Sequence, residues 1–422
     1  MYQKGSVKDL ENLCGIDQLV KIFCELISYD TTADELSSTV PSTVGQLRLG
    51  AFIAARLSAL DYDCRQDDKG VVTVKVPASE GYENSRKLCL LSHLDTSPDA
   101  DGANIKAALV RNYRGEGIEL ENGQVTDESI CPSLASHKGD DIIVTDGTTL
   151  LGADDKAGVA VLIKLLHDIR LNPSLVHGPL TVVFSVDEEI GLSVSHLDVS
   201  RIDCDFGVTI DGTDVGELDV ATFNAAGAVV SFTGRSIHTA VAYKKMVNAI
   251  GVATRFMNML PPLEKPEATL DKEGFYHVYG FEGNVGEATV RMLLRDFTTE
   301  GLKARTDKVL SIARMLNDEL GYDCVCAQIR HQYSNMADVL KDRDEILKLC
   351  RKAYTNTGLA VKECWIRGGT DGSNLSCAGL PCPNIFTGGL CCHGVHECLP
   401  VQSLNASYNV VCELVKLVAK GI

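Results

Sequence analysis

In the first half of the chain, short apolar runs alternate with longer stretches whose apolar residues recur at helical spacing. The apolar runs have the length of strands and cover 71–76, 88–93, 180–186 and 206–210. The helical stretches cover 17–27, 42–60 and 155–169, and Asp17 stands where an N-cap is expected. The run at 88–93 is apolar at successive positions, which is typical of a strand buried on both faces of a parallel or mixed sheet. Strands that alternate with helices predict an α/β domain.

The pattern changes near Ala221, where strands are predicted at 228–233, 275–280 and 288–297 and helices at 245–260 and 302–320. These elements predict an α+β domain of roughly 110 residues, within the usual domain range. It would span 221–329 and be inserted into an α/β domain formed by 1–220 and 330–422. The α/β pattern resumes with helices predicted at 344–354 and 404–418. The stretch 99–139 is rich in glycine, asparagine and charged residues and is predicted as a loop, and the stretch 366–374 is rich in glycine.

Ionisable side chains follow three of the predicted strands directly. The groups at the strand ends are His93 with Asp95, then Asp187-Glu188-Glu189, and then Asp211. Two further groups stand beside glycines: Asp154-Asp155 lies at the N-terminal end of the helix predicted at 155–169, and His393 follows Gly388-Gly389. The carboxyl ends of the strands are where open α/β sheets place their sites.

Five of these residues form a set of metal-ligand types. His93 and His393 offer imidazole nitrogens, and Asp154, Glu189 and Asp211 offer carboxylate oxygens. This mixture suits a pair of zinc or related divalent ions. One carboxylate must bridge such a pair, and Asp154 at its glycine-flanked turn is the predicted bridge.

Two further carboxylates are predicted to serve the reaction itself. Glu188 adjoins the ligand Glu189 and is predicted to act as general base towards a water molecule. Asp95 lies two residues after His93 on the same side of the strand, so it can accept the second ring N–H of that histidine. Each motif also has a plain structural interpretation, as a helix cap, a solvated turn or an Asp-Gly turn. Their joint occurrence at strand ends favours the metal site.

The amino-acid composition limits the classes of molecule that are expected to bind this protein. The 422 residues include 40 basic and 57 acidic ones, giving a formal net charge of -17. This charge argues against nucleic acid or an anionic membrane as a partner. The polar, mixed first 15 residues predict no secretory signal, and the lengths of the apolar runs predict no bilayer span. The 16 cysteines contain no C-x-x-C pair, so reduced thiols and a cytoplasmic location are predicted.

Longer motifs surround these residues and add a resemblance to a known family. They are Ser-His-Leu-Asp at 92–95, Leu-Gly-Ala-Asp-Asp-Lys-Ala-Gly at 151–158, Asp-Glu-Glu-Ile-Gly at 187–191, Gly-Phe-Tyr-His at 274–277, Arg-Gly-Gly-Thr-Asp-Gly at 367–372 and His-Gly-Val-His-Glu at 393–397. With them the chain resembles the peptidase T family of zinc tripeptide aminopeptidases. That family falls within the co-catalytic zinc metallopeptidases, which also include glutamate carboxypeptidase and succinyl-diaminopimelate desuccinylase.

The resemblance implies a mixed-sheet zinc-peptidase domain with an inserted ferredoxin-like lid that dimerises. It implies two Zn²⁺ ions per subunit and assigns all five ligands. One ion would be bound by His93, Asp154 and Asp211, and the other by Asp154, Glu189 and His393. Glu188 would be the general base and Asp95 the supporting carboxylate.

Three further residues match family positions in the predicted lid and beyond it. His238 matches a histidine that stabilises the oxyanion in a neighbouring active site, although the family's His-Pro-Gly is His238-Thr239-Ala240 here. Arg295 and Arg367 match positions that hold the carboxylate or carbonyls of a short peptide. Cys391 and Cys392, rather than aromatic or polar residues, precede the metal-binding histidine.

The predicted function is that of a cytoplasmic di-zinc aminopeptidase that acts on tripeptides with a free N-terminus. Two alternatives remain at this point. A dipeptidase, carboxypeptidase or N-acyl amino acid deacylase of the same superfamily would not need a free amino terminus. A non-catalytic, metal-stabilised binding protein is the other alternative, and the extra carboxylate of Glu188 argues against it.

Overall fold

The computed structural model describes residues 2–421, which form two compact units. The first contains the chain up to Val220, the stretch Val339–Cys364 and the chain from Thr370 onward. The second contains Ala221–Asp338 and Trp365–Gly369. Helices and strands alternate through much of the first unit, which confirms the predicted α/β class.

A mixed eight-stranded sheet forms the centre of the fold. Its strands, in spatial order, are Lys362–Ile366, Glu217–Thr222, Asn384–Phe386, Phe206–Gly212, Leu88–His93, Leu180–Ser185, Val72–Val76 and Asp63–Gln66. The four strands from Asn384–Phe386 to Leu180–Ser185 run parallel. Every residue of Leu88–His93 and Leu180–Ser185 is buried, which explains why both runs are apolar at successive positions.

The first unit contains the five predicted helices, close to their predicted positions, and three further helices, Val7–Cys14, Ser193–His196 and Asp371–Cys377, that the pattern did not predict. The predicted five are Gln18–Leu26, Val44–Ser58, Ala153–Leu171, Asp344–Asn356 and Val401–Lys420. The predicted cap is confirmed, because the Asp17 carboxylate accepts hydrogen bonds from the N–H groups of Leu19 and Val20 at 2.9 and 3.1 Å. Among residues 2–421, no helix is long and apolar enough to cross a membrane.

The prediction of an irregular stretch at 99–139 is wrong in part. Ala107–Val110 forms a strand that pairs with Ile142–Thr145, and Ile142–Thr145 pairs in turn with Cys398–Pro400. The short strands Ile118–Glu119 and Val125–Thr126 pair with each other, and the former also pairs with Gln3–Lys4. These strands are two to four residues long, too short for a periodic pattern to stand out from the glycine and asparagine around them.

The second unit is an antiparallel sheet packed against two helices. Its strands, in spatial order, are Phe275–Gly283, Glu287–Asp296, Asn224–Thr233 and Val325–Tyr333. Alternate residues Ala226, Ala228, Val230 and Phe232 are buried. They share a core with residues of the helices Ala249–Asn258 and Thr299–Leu320. The strand Val325–Tyr333 crosses the predicted boundary at 329 and pairs with Asn224–Thr233.

Candidate metal centre

The alignment of the parallel strands brings their carboxyl ends to one edge of the sheet. His93 pairs with Ser185, and Leu91 pairs with Thr209 on the other side. The helix Ala153–Leu171 approaches the same edge, because a Cβ at Gly158 would lie 2.0 Å from the carbonyl oxygen of Ile210. Only glycine permits this approach, which carries the N-terminal end of the helix to the strand ends.

The five predicted ligands form two clusters that share Asp154. His93, Asp154 and Asp211 form one, and Asp154, Glu189 and His393 form the other; within each, the potential ligand atoms lie within 4.8 Å of one another. One oxygen of Asp154 lies 3.0 Å from His93 Nε2, and the other lies 3.2 Å from His393 Nε2. The two oxygens of Asp154 therefore face different imidazoles, as a bridging carboxylate must.

The remaining distances complete each cluster. His93 Nε2 lies 3.5 Å from an Asp211 oxygen, and His393 Nε2 lies 3.1 Å from Oε2 of Glu189. The second Glu189 oxygen is buried without a hydrogen-bond partner among the described residues. A buried acceptor without a donor is costly, and a cation removes that cost. The peptide bond between Asp154 and Asp155 is cis.

The electrostatics of the clusters also favour divalent cations. Burial and the neighbouring Asp154 raise the pKa of Glu189 to about 11. Burial raises the pKa of Asp211 to about 7, against the opposing effect of His93. Carboxylates that are forced together and buried are hard to ionise without a compensating positive charge. The nitrogen and oxygen donor set, the unpaired oxygen and the crowded carboxylates all fit a pair of divalent ions.

The structure places Asp95 beneath the turn that carries Glu188. The Asp95 carboxylate is fully buried and accepts hydrogen bonds from the backbone N–H groups of Glu188 and Glu189, at 3.1 and 2.9 Å. His93 Nδ1 lies 3.5 Å from this carboxylate and 3.1 Å from the Asp95 carbonyl oxygen. The hydrogen bond from the His93 ring thus goes to the Asp95 backbone, whereas the sequence pattern predicted the carboxylate as its acceptor.

Sequence reasoning assigned no role to three carboxylates that hold the site segments. Asp371 accepts hydrogen bonds from the hydroxyls of Ser185 and Ser193, on either side of the turn with Glu188 and Glu189. Asp187 accepts hydrogen bonds from the Ser42 N–H and, at 2.7 Å, from the Gln46 side chain.

The third of these carboxylates is Glu397, which accepts three backbone hydrogen bonds from the turn before Ala153–Leu171. The only signal for Asp371 and Glu397 was their presence inside longer motifs.

His238, Arg295 and Arg367 belong to the second unit and to neither cluster. His238 is exposed, and its Nδ1 accepts the N–H of Ala240 at 3.2 Å. Arg295 is only 8% exposed and donates from Nη1 to two carbonyl oxygens and to Gln332 Oε1.

Arg367 donates hydrogen bonds to the carbonyls of Asp271 and Glu273 and to the Thr269 hydroxyl. The central carbon of its guanidinium lies 5.3 and 5.5 Å from the ring centroids of Phe223 and Phe275. Both distances are within the roughly 6 Å of a cation–π contact. In the part of the chain that the structure describes, neither Arg295 nor Arg367 has an ion-pair partner.

Known proteins resemble this chain over nearly its whole length. Residues 145–417 match the model of peptidase family M20/M25/M40. Peptidase T of Clostridium perfringens is 40% identical over 399 residues, which cover 94% of this chain and 98% of the relative. Peptidase T of Caldanaerobacter subterraneus is 37% identical over 408 residues, covering 96% and 100%.

Solved structures share the fold. An aminopeptidase PepT from Bacillus cereus superposes with a TM-score of 0.76 at 23% identity, covering 95% of this chain and 98% of that one. A dinuclear metal-binding M20 peptidase from Bacillus subtilis gives 0.63 at 11% identity, covering 98% and 100%. These matches confirm the resemblance inferred from the motifs. The chain belongs to peptidase family M20/M25/M40.

Proposed function

We propose that this protein is a cytoplasmic di-zinc aminopeptidase that releases the N-terminal residue of tripeptides. The observation that carries the proposal is the pair of ligand clusters joined by Asp154, with the carboxylate of Glu188 adjacent to the ligand Glu189. The relatives named Peptidase T, at up to 40% identity over nearly the full length, support the choice of substrate.

His93, Asp154 and Asp211 would hold one Zn²⁺, and Asp154, Glu189 and His393 would hold the other. When bound, such a pair polarises the scissile carbonyl group and acidifies a water molecule. The ligand set alone suits several divalent ions, and the mixture of two imidazoles with three carboxylates favours zinc.

Glu188 is the proposed general base. Burial raises the pKa of its carboxyl group well above the usual value, which makes the carboxylate a stronger base. A carboxylate oxygen of Glu188 accepts the proton of the attacking water and returns it to the leaving amine. Asp95 holds the Glu188 backbone through the hydrogen bond at 3.1 Å and so orients the base.

Arg295 and Arg367 are proposed to bind the substrate carboxylate. Arg295 is buried, Arg367 is half-buried, and neither has an ion-pair partner among the described residues, so each guanidinium is a ready site for an anion. Recognition of the free C-terminus would restrict the length of the peptide. His238 is proposed to stabilise the oxyanion in the active site of a partner subunit, which requires a homodimer.

The experiment that tests the proposal compares a free tripeptide with its N-acetylated twin, with and without a chelator. Cleavage of the free peptide alone, abolished by the chelator and restored by Zn²⁺, is the expected result. Cleavage of the acetylated twin would instead indicate a carboxypeptidase or deacylase. Folded, zinc-loaded protein that cleaves neither peptide would favour the binding-protein alternative.

A further inference from the structure

Glu397 is a buried carboxylate that binds the turn carrying Asp154. The side chain is 1% exposed and lies four residues after the predicted ligand His393. Its Oε2 accepts the N–H groups of Leu151 and Gly152 at 2.6 and 2.8 Å, and its Oε1 accepts the N–H of Asp154 at 3.1 Å. Both oxygens are therefore engaged by backbone donors from one short segment.

Among the described residues, the three N–H groups have no acceptor other than Glu397. The helix Ala153–Leu171 begins after Gly152, whose φ of 74° is left-handed and whose position provides no capping side chain. Asp154 and Asp155 also depart from helical φ and ψ angles. The first N–H groups of a helix lack intrahelical partners, and a capping side chain normally satisfies them. Here the cap comes from a residue more than 240 positions away.

We infer that Glu397 is a positioning residue that couples the segment supplying Asp154 to the segment supplying His393. It fixes the bridging carboxylate relative to the second imidazole and thereby raises the affinity for the ion held by Asp154, Glu189 and His393. This coupling rests on the metal centre of the proposed function and is independent of the peptide substrate. Groups that orient metal ligands typically contribute about 10–100-fold to metal affinity.

A neutral side chain of the same size cannot accept all three hydrogen bonds. In Glu397→Gln one oxygen becomes an NH₂ group, which is a donor and would face a backbone N–H. At least one of the three hydrogen bonds is then lost, and if the remaining oxygen keeps the two short ones, the bond to Asp154 is the one broken.

Lys156, which is fully buried and donates from Nζ to the Tyr29 carbonyl at 2.7 Å, adds a positive charge on the same helix.

The test is a Zn²⁺ titration of the purified full-length protein against a chromophoric chelator. We compare the wild type with Glu397→Gln and with the control Asp219→Asn. Asp219 is also buried on the central sheet, but its carboxylate accepts a hydrogen bond from the Asn384 side chain, outside the metal-binding segments. Glu397→Gln is expected to weaken one of the two zinc sites at least tenfold, whereas the control keeps both affinities.

Thermal unfolding in excess chelator separates a folding defect from a metal-binding defect. Both variants are titrated with Zn²⁺ at a temperature well below the midpoint of thermal unfolding of their metal-free forms. If Glu397→Gln does not fold, Glu397→Asp keeps the charge but shortens the reach, and the same loss is expected. Zinc affinities within twofold of the wild type in the folded variant, or an equal loss in the control, would overturn the inference. Wild-type protein that binds no zinc would overturn the proposed metal centre itself.

Discussion

The carboxylate of Asp95 accepts a hydrogen bond from the backbone N–H of Glu188 at 3.1 Å. The sequence pattern predicts separate roles for these two residues, but this hydrogen bond couples their positions. The other Asp95 oxygen accepts the N–H of Glu189 at 2.9 Å. The strand that carries the proposed ligand His93 thus fixes the turn that carries both the proposed base Glu188 and the proposed ligand Glu189. A change at Asp95 is expected to disturb both functions, whereas a change at Glu188 is expected to disturb only one.

Glu188→Gln should lose catalysis and keep the metals. The amide cannot accept a proton, and a general base typically contributes about 10²–10⁴-fold. We expect kcat for tripeptide cleavage to fall within that range while zinc content stays at the wild-type level. The measurements are steady-state kinetics and metal analysis of the same preparation. Wild-type turnover in Glu188→Ala with both ions bound would contradict the mechanism.

Asp95→Asn should weaken activity and metal binding together. The amide nitrogen would face the N–H of Glu188 or Glu189, so the turn must shift. We expect zinc affinity to fall by about 10–100-fold, as for other groups that orient metal ligands. Zinc titration measures the change in metal affinity, and steady-state kinetics of the same preparation measure the change in activity. A variant with wild-type zinc affinity and reduced kcat would mean that Asp95 acts on the reaction alone.

The clustering of the proposed ligands was predictable from the sequence where each of them adjoins a strong local pattern. His93 and Glu189 follow apolar runs that became fully buried parallel strands, and strand alignment alone brings such ends together. Glu397 has no such signal, because its hydrogen bonds join residues far apart in the chain. The helix Asp371–Cys377, which carries Asp371, has no counterpart among the predicted elements, because the stretch 366–374 is rich in glycine. Contacts set by tertiary structure leave no periodic trace in the sequence.

Arg295→Lys should affect the recognition of the peptide C-terminus. Lysine keeps the charge but cannot form the paired, planar hydrogen bonds to a carboxylate. We expect KM for a free tripeptide to rise about tenfold, corresponding to about 1.4 kcal/mol. Cleavage of the tripeptide amide, already poor in the wild type, should change little. An equal loss on both substrates would show that Arg295 does not contact the C-terminal carboxylate.

His238 is exposed, and the proposed dimer requires it to act in the partner's site. Glu188→Ala and His238→Ala should each be inactive as homodimers. Mixed under conditions that exchange subunits, they should regain up to about a quarter of wild-type activity, because one site per heterodimer would have both residues. Sedimentation of the mixture establishes the oligomeric state. A mixture of dimers that stays inactive after proven exchange would place His238 outside the partner's site.

His137 should make stability depend on pH. The imidazole is 2% exposed, with Nδ1 2.9 Å from Asp140 and Nε2 3.0 Å from Asp214. Burial acts to lower its pKa, but the two carboxylates outweigh burial and raise it above the ordinary value. A raised folded-state pKa stabilises the fold fully below the unfolded pKa of about 6.5, and this stabilisation is lost as pH rises through the folded pKa.

His137→Gln should therefore lower the free energy of unfolding by on the order of 2 kcal/mol at pH 6 and by less at pH 9. His177 is a matched control, since it is also buried but its pKa is lowered by burial and its Nδ1 contacts the Gly178 carbonyl at 2.8 Å. Folding disfavours protonation of His177, so His177→Gln should have the opposite pH dependence, costing less stability at pH 5 than at pH 8. Urea unfolding of the metal-free variants across this range measures both. Parallel pH profiles for the two variants would contradict a charged His137 between Asp140 and Asp214.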